Sequence, residues 1–168
     1  TSINKLISKN LQLMSVAIKD NKVSLYTTLD QNLPEIQADA KQIEQVLKNV
    51  ILNALQAMPD GGDLRIITEP KSGGVCLSIV DNGSGIPKDK LARVFQPFFT
   101  TKTKGTGLGL SIVNKIVENH GGRIELESTE GVGTSLRIIL PIAGEGPIIS
   151  STNDDALERR VSRGLREL

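Results

Sequence analysis

The chain has 168 residues, of which 38% are hydrophobic and 23% charged, and its formal net charge is +1. This length suits one domain with a sizeable core plus a tail, and the composition is typical of a soluble globular protein. So small a net charge excludes a surface-wide basic field for nucleic acid or an anionic membrane, so any anion site must be local. No apolar run is long enough to cross a bilayer.

The only cysteine, Cys76, excludes an internal disulfide and favours a reducing, cytoplasmic compartment. It lies in an apolar, strand-like run, and we interpret it as a small buried side chain rather than a reactive thiol. The chain begins with Thr1 rather than methionine and has no basic-then-apolar leader. We therefore expect a piece of a larger protein, itself without a targeting signal, whose parent is cytoplasmic or membrane-anchored.

The first part of the chain alternates helical and extended patterns. Apolar residues at three- and four-residue steps predict an amphipathic helix over residues 3–19. Alternating residues then predict a strand over 22–29, and residues 35–38 are expected to form a short strand after a turn.

A strongly apolar helix is predicted next, from Asp39 as its N-cap to Met58, with Gln42 completing a capping-box pattern. Polar residues spaced by four, four and three positions form one stripe along it. Asparagine is a poor helix former, so two of them one turn apart need a reason. Amide oxygens can complete the shell of a Mg²⁺ ion held by phosphates, but a solvated helix face is the alternative that this helix alone leaves open. The stripe consists of Gln45, Asn49, Asn53 and Gln56.

The second part of the chain is mostly extended, and it contains one long loop and one helix. Because strands and helices mix without βαβ alternation, we predict a two-layer α/β sandwich with a mixed sheet and helices on one face. The tail after residue 143 is expected to be solvated, or to form a docking helix or linker. The predicted segments are strands at 63–69 and 75–80, a partly mobile lid at 87–106, a helix that starts at the second glycine cluster, and a hairpin of 123–127 and 135–140.

Two glycine clusters, at 81–87 and 104–110, indicate a nucleotide site. Glycine permits positive φ and lets main-chain N–H groups approach a ligand closely. The second cluster leads directly into a helix, whose N-terminus favours an anion such as phosphate. No P-loop motif is present, and Leu110 stands where a dinucleotide-binding turn requires its last glycine.

Together these segments resemble the sequence boxes of sensor histidine kinases. Asn49 to Asn53 resembles the N box, Asp81-Asn-Gly-Ser-Gly85 the first glycine box, Phe95-Gln-Pro-Phe-Phe99 the F box, and Gly105-Thr-Gly-Leu-Gly109 the second glycine box. The boxes occur in family order across about residues 3–141. The chain is thus similar to the ATP-binding catalytic domain of two-component kinases, of the Bergerat type shared with gyrase, Hsp90 and MutL, and in particular to the nitrogen-regulation type.

The resemblance implies how the base is held. Asp81 would accept a hydrogen bond from the adenine amino group, although alone it also reads as a turn-forming aspartate. Gly83 and Gly85 would let the chain pass close to the base, and Thr134 would support adenine through a water. The three phenylalanines are expected to pin the base of the lid into the core.

The resemblance also implies which residues bind the metal ion and the phosphates. Asn49 and Asn53 would hold Mg²⁺, with Asn53 the stronger candidate, and Lys102 would add charge from the lid, although a loop lysine is usually only solvated. Asn49, Asn53 and Lys102 are therefore the implied catalytic residues. The other implied ATP contacts are Ile86, Phe98, Thr101, Lys104, Gly105, Thr106, Gly107, Leu108, Gly109 and Leu110.

The residue at position 49 bears on the reaction type. The resemblance implies that hydrolysing relatives such as gyrase carry a glutamate at the position of Asn49, where the carboxylate acts as the general base for water. An amide cannot accept the proton of that water. Glu44 lies five residues earlier, about 140° around the helix, so it cannot substitute. We therefore predict slow hydrolysis, with the γ-phosphoryl group kept for an imidazole nitrogen on another domain.

The acceptor itself is not in this sequence. His120 is the only histidine, and it precedes two glycines without the flanking pattern of a phosphoacceptor, so we interpret it as a helix C-terminal cation or cap. The expected partners are ATP, a histidine-bearing dimerisation domain of the same parent and, indirectly, a response regulator. The domain alone is expected to be monomeric and its parent homodimeric. An anti-sigma-type serine kinase and a nucleotide-binding interaction module without turnover are the alternatives.

Overall fold

The computed structural model describes residues 1–100 and 106–142. The sheet has five strands in the order β1-β2-β3-β5-β4, and only the β1–β2 pair is parallel, so the predicted mixed sheet is confirmed. In chain order the elements are α1 (Ile3–Leu13), α2 (Ser15–Asp20), β1 (Val23–Leu29), α3 (Ala40–Ala57), β2 (Gly62–Lys71), β3 (Gly74–Asp81), α4 (Lys88–Leu91), α5 (Gly109–Asn119), β4 (Arg123–Thr129) and β5 (Gly133–Pro141).

One face of the sheet carries the hydrophobic core. Alternate side chains of the central strands point to this face, where they pack against α1, α3 and α5. The arrangement is a two-layer α/β sandwich with helices on one face, as predicted. The strand residues in this core include Leu64, Ile66, Val75, Leu77, Ile79, Leu136, Ile138 and Leu140.

Helix α3 begins at the predicted N-cap, Asp39, but without the reciprocal half of the predicted capping box, because the Asp39 N–H donates to His120 Nε2 rather than to the Gln42 side chain. The Asp39 carboxylate accepts hydrogen bonds from the N–H groups of Lys41 and Gln42, at 2.8 and 3.1 Å. This cap satisfies donors that the first helical turn leaves unpaired. The helix buries its apolar face, including Leu47 and Ile51, which turns the polar stripe away from the core.

Two predictions for the first part of the chain need correction. The predicted helix over 3–19 is two helices, because Met14, with φ −97 and ψ 5, departs from helical geometry between them. The Met14 N–H still bonds Asn10 O, and the Ile18 N–H bonds Met14 O, so the interruption is one distorted residue. The expected strand over 35–38 is a single bridge between Ile36 and Ile142.

The segment predicted as a lid contains more local structure than its sequence indicates. It includes the short helix α4, and backbone hydrogen bonds at three-residue spacing continue from Pro87 through Lys90, Arg93 and Gln96 to Phe99. Such bonds are typical of 3₁₀-like turns. Residues 101–105 of the predicted lid lie outside the described residues, and its mobility stays a prediction.

The opposite face of the sheet is largely polar. Arg65 lies 5.5 Å from the centre of the Tyr26 ring. Glu125 bridges Arg123 and Arg137 at 3.1 and 3.2 Å. These groups stay near water, where such pairs contribute little to stability.

Two predictions from composition can be compared with the structure. Cys76 is a buried, unpaired cysteine, as predicted. Within residues 1–100 and 106–142, no helix has the length and apolarity that crossing a membrane requires. The predicted tail, residues 144–168, lies outside the described part of the chain, so its role stays a prediction.

Candidate functional site

A cavity of about 360 Å³ lies between α3, the start of α5 and the ends of the central strands. Helix α3 supplies one wall, and the sheet together with the loop after β3 supplies the other. The residues lining it are Asn49, Val50, Leu52, Asn53, Ala54, Gln56 and Ala57 from α3; Ile79, Asp81, Leu126, Thr134 and Leu136 from the sheet; Ser84, Gly85 and Ile86 from the loop; Val94, Phe99 and Thr100; and Thr106, Gly107, Gly109 and Leu110.

The floor of the cavity is an apolar row across the sheet. Leu136 in β5 pairs in register with Ile79 in β3 on one side and with Leu126 in β4 on the other. These three side chains line the cavity opposite Val50 and Ala54 of α3. A slot between apolar surfaces suits a flat ring, because both ring faces are then removed from water.

The next row along the same strands is polar. Thr134 pairs in register with Asp81 on one side and with Ser128 on the other. Asp81 is only 9% exposed, and its Oδ1 accepts the Gly83 N–H at 2.9 Å. Asp81 and Thr134 line the cavity, so its sheet end presents a carboxylate and a hydroxyl beside the apolar row.

The loop after β3 is fixed by close backbone packing. Gly85 has φ +66, and a Cβ there would collide with the Thr129 carbonyl group, so this position requires glycine. A Cβ on Gly83 would lie 2.6 Å from the Ala57 carbonyl oxygen, and the Ser84 N–H donates to that oxygen at 3.0 Å. Gly83 thus lets the loop pack against the end of α3, and it does not line the cavity.

The start of α5 forms the other end of the cavity. Its N-cap residue, Leu108, makes no side-chain capping bond among the described residues, so the N-cap side chain does not occupy the first N–H groups of the helix. A Cβ placed on Gly109 would lie 3.8 Å from Asn53 Nδ2. Asn53 therefore faces a helix N-terminus, where N–H groups and the helix dipole favour an anion.

The polar stripe of α3 contributes unequally to this end. Asn49, Asn53 and Gln56 line the cavity, whereas Gln45 does not. Asn49 Nδ2 is buried and has no hydrogen-bond partner among the described residues. A buried amide without a partner is costly, so this atom fits a site whose partner arrives with a ligand.

Acidic groups are scarce around the cavity. Asp81 is the only carboxylate among the described lining residues. Glu44 forms a 2.6 Å ion pair with Lys9 of α1, on another side of α3, as the helical spacing predicts. No described carboxylate therefore lies beside Asn49 and Asn53.

The structure brings together most of the residues predicted for this site. Gly83, Phe98 and Leu108 do not line the cavity, and Thr101, Lys102, Lys104 and Gly105 lie outside the described residues. The predicted residues that line the cavity are Asn49, Asn53, Asp81, Gly85, Ile86, Thr106, Gly107, Gly109, Leu110 and Thr134.

The prediction that all three phenylalanines pin the lid into the core is wrong, because none of them is among the described residues that form the core or pack against it, and the departure is largest for Phe98. Its side chain is 77% exposed, and its φ of +64 is in the left-handed region, which turns the ring outward. Gly107 packs against the Phe98 backbone instead. Phe99 lines the cavity, with Arg93 lying 4.7 Å from its ring centre, and the buried anchor of this segment is Val94.

His120 connects the two helices that border the cavity. Its Nε2 accepts the Asp39 N–H at 3.1 Å, and its Nδ1 lies 2.8 Å from Ile116 O. Because a backbone N–H can only donate, Nε2 carries no proton and Nδ1–H donates to the Ile116 carbonyl. His120 therefore caps the C-terminus of α5, which confirms the predicted cap.

Replacing His120 with alanine is expected to lower the free energy of unfolding by about 1–3 kcal/mol, because both hydrogen bonds are lost. Substitution with Gln keeps an acceptor near the Asp39 N–H and should recover part of the loss. Urea denaturation of the two variants, with Lys115→Ala on the exposed face of α5 as control, measures the effect. An unchanged midpoint for the alanine variant would contradict this structural role.

Comparison with known proteins agrees with this geometry. Residues 38–144 match the family model for histidine kinase-, DNA gyrase B- and HSP90-like ATPases. The sensor histidine kinase ZraS of Escherichia coli K12 is 44% identical over 140 residues, which cover 83% of this chain and 30% of ZraS. The chain thus spans less than a third of that relative's length.

Solved structures extend the comparison to the fold. The nucleotide-free catalytic domain of the histidine kinase ThkA aligns with a TM-score of 0.77 and 35% identity, covering 88% of this chain and 95% of that domain. Full-length ShkA in complex with AMPPNP aligns with a TM-score of 0.76 and 27% identity, covering 88% of this chain and 32% of ShkA. ThkA has also been solved with the response regulator protein TrrA, with a TM-score of 0.72 and 31% identity over 84% of this chain and 40% of that one.

The chain therefore belongs to the histidine kinase-, DNA gyrase B- and HSP90-like ATPases, a class of ATP-binding domains. Within that class it is homologous to the catalytic domains of sensor histidine kinases, which bind ATP and phosphorylate a histidine in two-component signalling. The resemblance predicted from the four sequence boxes is confirmed. Its nitrogen-regulation subtype stays a prediction.

Proposed function

We propose that this chain binds Mg·ATP in the cavity and donates the γ-phosphoryl group to a histidine on a separate dimerisation domain of the same parent protein. Residues 1–143 would form the catalytic domain, and residues 144–168 a tail or linker. The arrangement at the phosphate end carries the proposal: Asn53 faces Gly109 at the start of α5, and Asn49 Nδ2, which is buried and has no partner among the described residues, lies on the same cavity wall. Amide oxygens and helical N–H groups together suit a metal-bound polyphosphate.

The donor set fits Mg²⁺ that enters with the nucleotide. Within the described residues, no group of three or more His, Cys, Asp or Glu side chains could hold a metal. The amide oxygens of Asn49 and Asn53 would therefore share the ion with phosphate oxygens, and Gln56 lies one turn further along the same wall. When bound, Mg²⁺ neutralises charge on the phosphates.

The cavity residues support phosphoryl transfer rather than hydrolysis. Water attack is helped by a general base, and the one described carboxylate of the cavity, Asp81, already accepts the Gly83 N–H at the sheet end. The asparagines can orient an ion and phosphates but cannot remove a proton. Catalysis would then rest on positioning and charge neutralisation, with Lys102 of the lid as a proposed contributor.

The phosphoacceptor must come from elsewhere. His120 does not line the cavity, and both of its ring nitrogens are engaged by backbone groups. We infer that the acceptor histidine belongs to the dimerisation domain of a homodimeric parent, and that a response regulator receives the phosphoryl group afterwards. The buried, unpaired Cys76 is consistent with a reducing compartment, so we place the domain in the cytoplasm.

The test is incubation of the chain with γ-labelled ATP, Mg²⁺ and the dimerisation domain of the parent. Label that is labile in acid and stable in alkali supports the histidine. Acid-stable label would indicate a serine kinase instead. Intact ATP binding without any label would indicate an interaction module without turnover.

Asn49 also allows a test of the reaction type. Replacing it with Glu is expected to raise ATP hydrolysis by about tenfold, because a carboxylate beside the phosphates can accept a proton from water. Asn49→Gln is the matched control, since it has the same length without the basic group. A phosphate-release assay on both variants, without any acceptor domain, measures the rate. Equal hydrolysis by the two variants would contradict the role assigned to the missing base.

A further inference from the structure

The Ser128 hydroxyl in β4 makes three polar contacts beside the sheet end of the cavity. It accepts the Ile86 N–H at 2.8 Å, donates to Gly133 O at 2.9 Å, and lies 2.8 Å from Thr134 Oγ1. It joins the loop after β3, the β4–β5 turn and a cavity-lining side chain. Ser128 itself does not line the cavity.

Only one arrangement of protons satisfies all three contacts. The Ile86 N–H can only donate and the Gly133 carbonyl can only accept, so the single Ser128 proton belongs to the bond with Gly133 O. The contact with Thr134 then requires the Thr134 hydroxyl to donate to Ser128. Ser128 thereby uses its donor and both lone pairs, and Thr134 has only lone pairs left for the cavity.

This fixes the polarity that the sheet end presents to a ligand. Asp81 is the register neighbour of Thr134, and its carboxylate is also an acceptor. A base edge that meets these two groups directly must supply donors. An exocyclic amino group does so, whereas a ring carbonyl at the same place brings a third acceptor, and a buried acceptor without a donor is costly.

We propose that Ser128 is a specificity-determining positioning residue: by holding Thr134 as an acceptor, it favours 6-amino purines over 6-oxo purines. The inference rests on the proposed binding of ATP in this cavity and assigns a role to a residue outside the cavity. Without Ser128, the Thr134 hydroxyl could rotate and donate to a ring carbonyl, so discrimination against GTP would fall.

The test compares dissociation constants for ATP and GTP, measured by titration calorimetry well below the unfolding midpoint. Ser128→Ala is expected to lower the ratio of the GTP constant to the ATP constant by about tenfold. Ser128→Thr, which keeps a hydroxyl, should restore the ratio. Ser135→Ala, at the adjacent position on the opposite face of β5, should leave it unchanged.

A second pair of variants separates this role from a purely structural one. Thr134→Val should lower the ratio by a similar factor, and Ser128→Ala in that background should lower it no further, because Ser128 acts through Thr134. Equal weakening of both nucleotides by Ser128→Ala would overturn the inference. So would additive effects of the two substitutions on the ratio.

Folding and binding failures remain distinguishable. If thermal unfolding shows that Ser128→Ala does not fold, the ratio of dissociation constants measured for Thr134→Val alone tests the inference. This variant leaves the hydrogen bonds of Ser128 to Ile86 and Gly133 in place. An unchanged ratio in that variant overturns the inference. Failure of the unsubstituted chain to bind ATP would overturn the proposed function and this inference with it.

Discussion

Replacing Asn53 with alanine is expected to weaken Mg²⁺-dependent ATP binding about hundredfold, the order of magnitude for losing a contact to a charged group. Asn53 faces the start of α5, where the phosphates and their ion would lie. Its removal leaves α3 with only Asn49 as an amide ligand at that position. Titration of the variant with ATP, with Mg²⁺ and again with EDTA, measures the effect.

The control for this prediction lies on the same helix. Gln45 belongs to the same polar stripe but does not line the cavity, so Gln45→Ala should bind Mg·ATP as the unsubstituted chain does. In EDTA the Asn53 variant should differ little from the unsubstituted chain. Full retention of Mg²⁺-dependent binding would move the metal site elsewhere, and an equal loss in EDTA would assign Asn53 to the phosphates rather than to the ion.

Replacing Asp81 with asparagine is expected to lower the preference for ATP over GTP by about a hundredfold, since a site built to bond one partner strongly rejects another. Oδ1 of Asp81 accepts the Gly83 N–H at 2.9 Å. An asparagine that keeps this bond turns its amide N–H groups toward the base. They would oppose the amino group of adenine and favour the carbonyl group of guanine. Competition binding with the two nucleotides measures the change.

Asp63 offers a matched control for this substitution. It pairs with Asn82 through its backbone and does not line the cavity, so Asp63→Asn changes the net charge equally without touching the site. An unchanged nucleotide preference in Asp81→Asn would remove the role assigned to this carboxylate. A shift of similar size in the Asp63 variant would point to charge rather than to hydrogen bonding.

Much of the fold and of the site was predictable from local chemistry. Asp39 followed by an apolar helical pattern located the start of α3, and the step from Asn49 to Asn53 placed both amides on one helix face. The glycines before Leu110 located the start of α5. These features depend on helix periodicity, capping and backbone freedom, all of which act over a few residues.

The remaining features depend on contacts between distant segments. The role of Ser128 requires contacts with Ile86, in the loop after β3, and with Thr134, in the neighbouring strand. The sequence indicates only that Ser128, two residues after Leu126, points to the same face of the sheet as Leu126. The outward turn of Phe98 follows from a left-handed backbone packed against Gly107, which no pattern of apolar residues reveals. Sequence periodicity carries no information on such packing.

The two ends of the cavity are built differently, and this matters for inhibitor design. The sheet end has a flat apolar floor, centred on Leu136, and an acceptor edge at Asp81, and both lie on strands with continuous ladders of backbone pairing. A small aminoheterocycle without any phosphate could occupy that end alone. Such a fragment would need no Mg²⁺, and substitutions at Asn53 would not confer resistance to it.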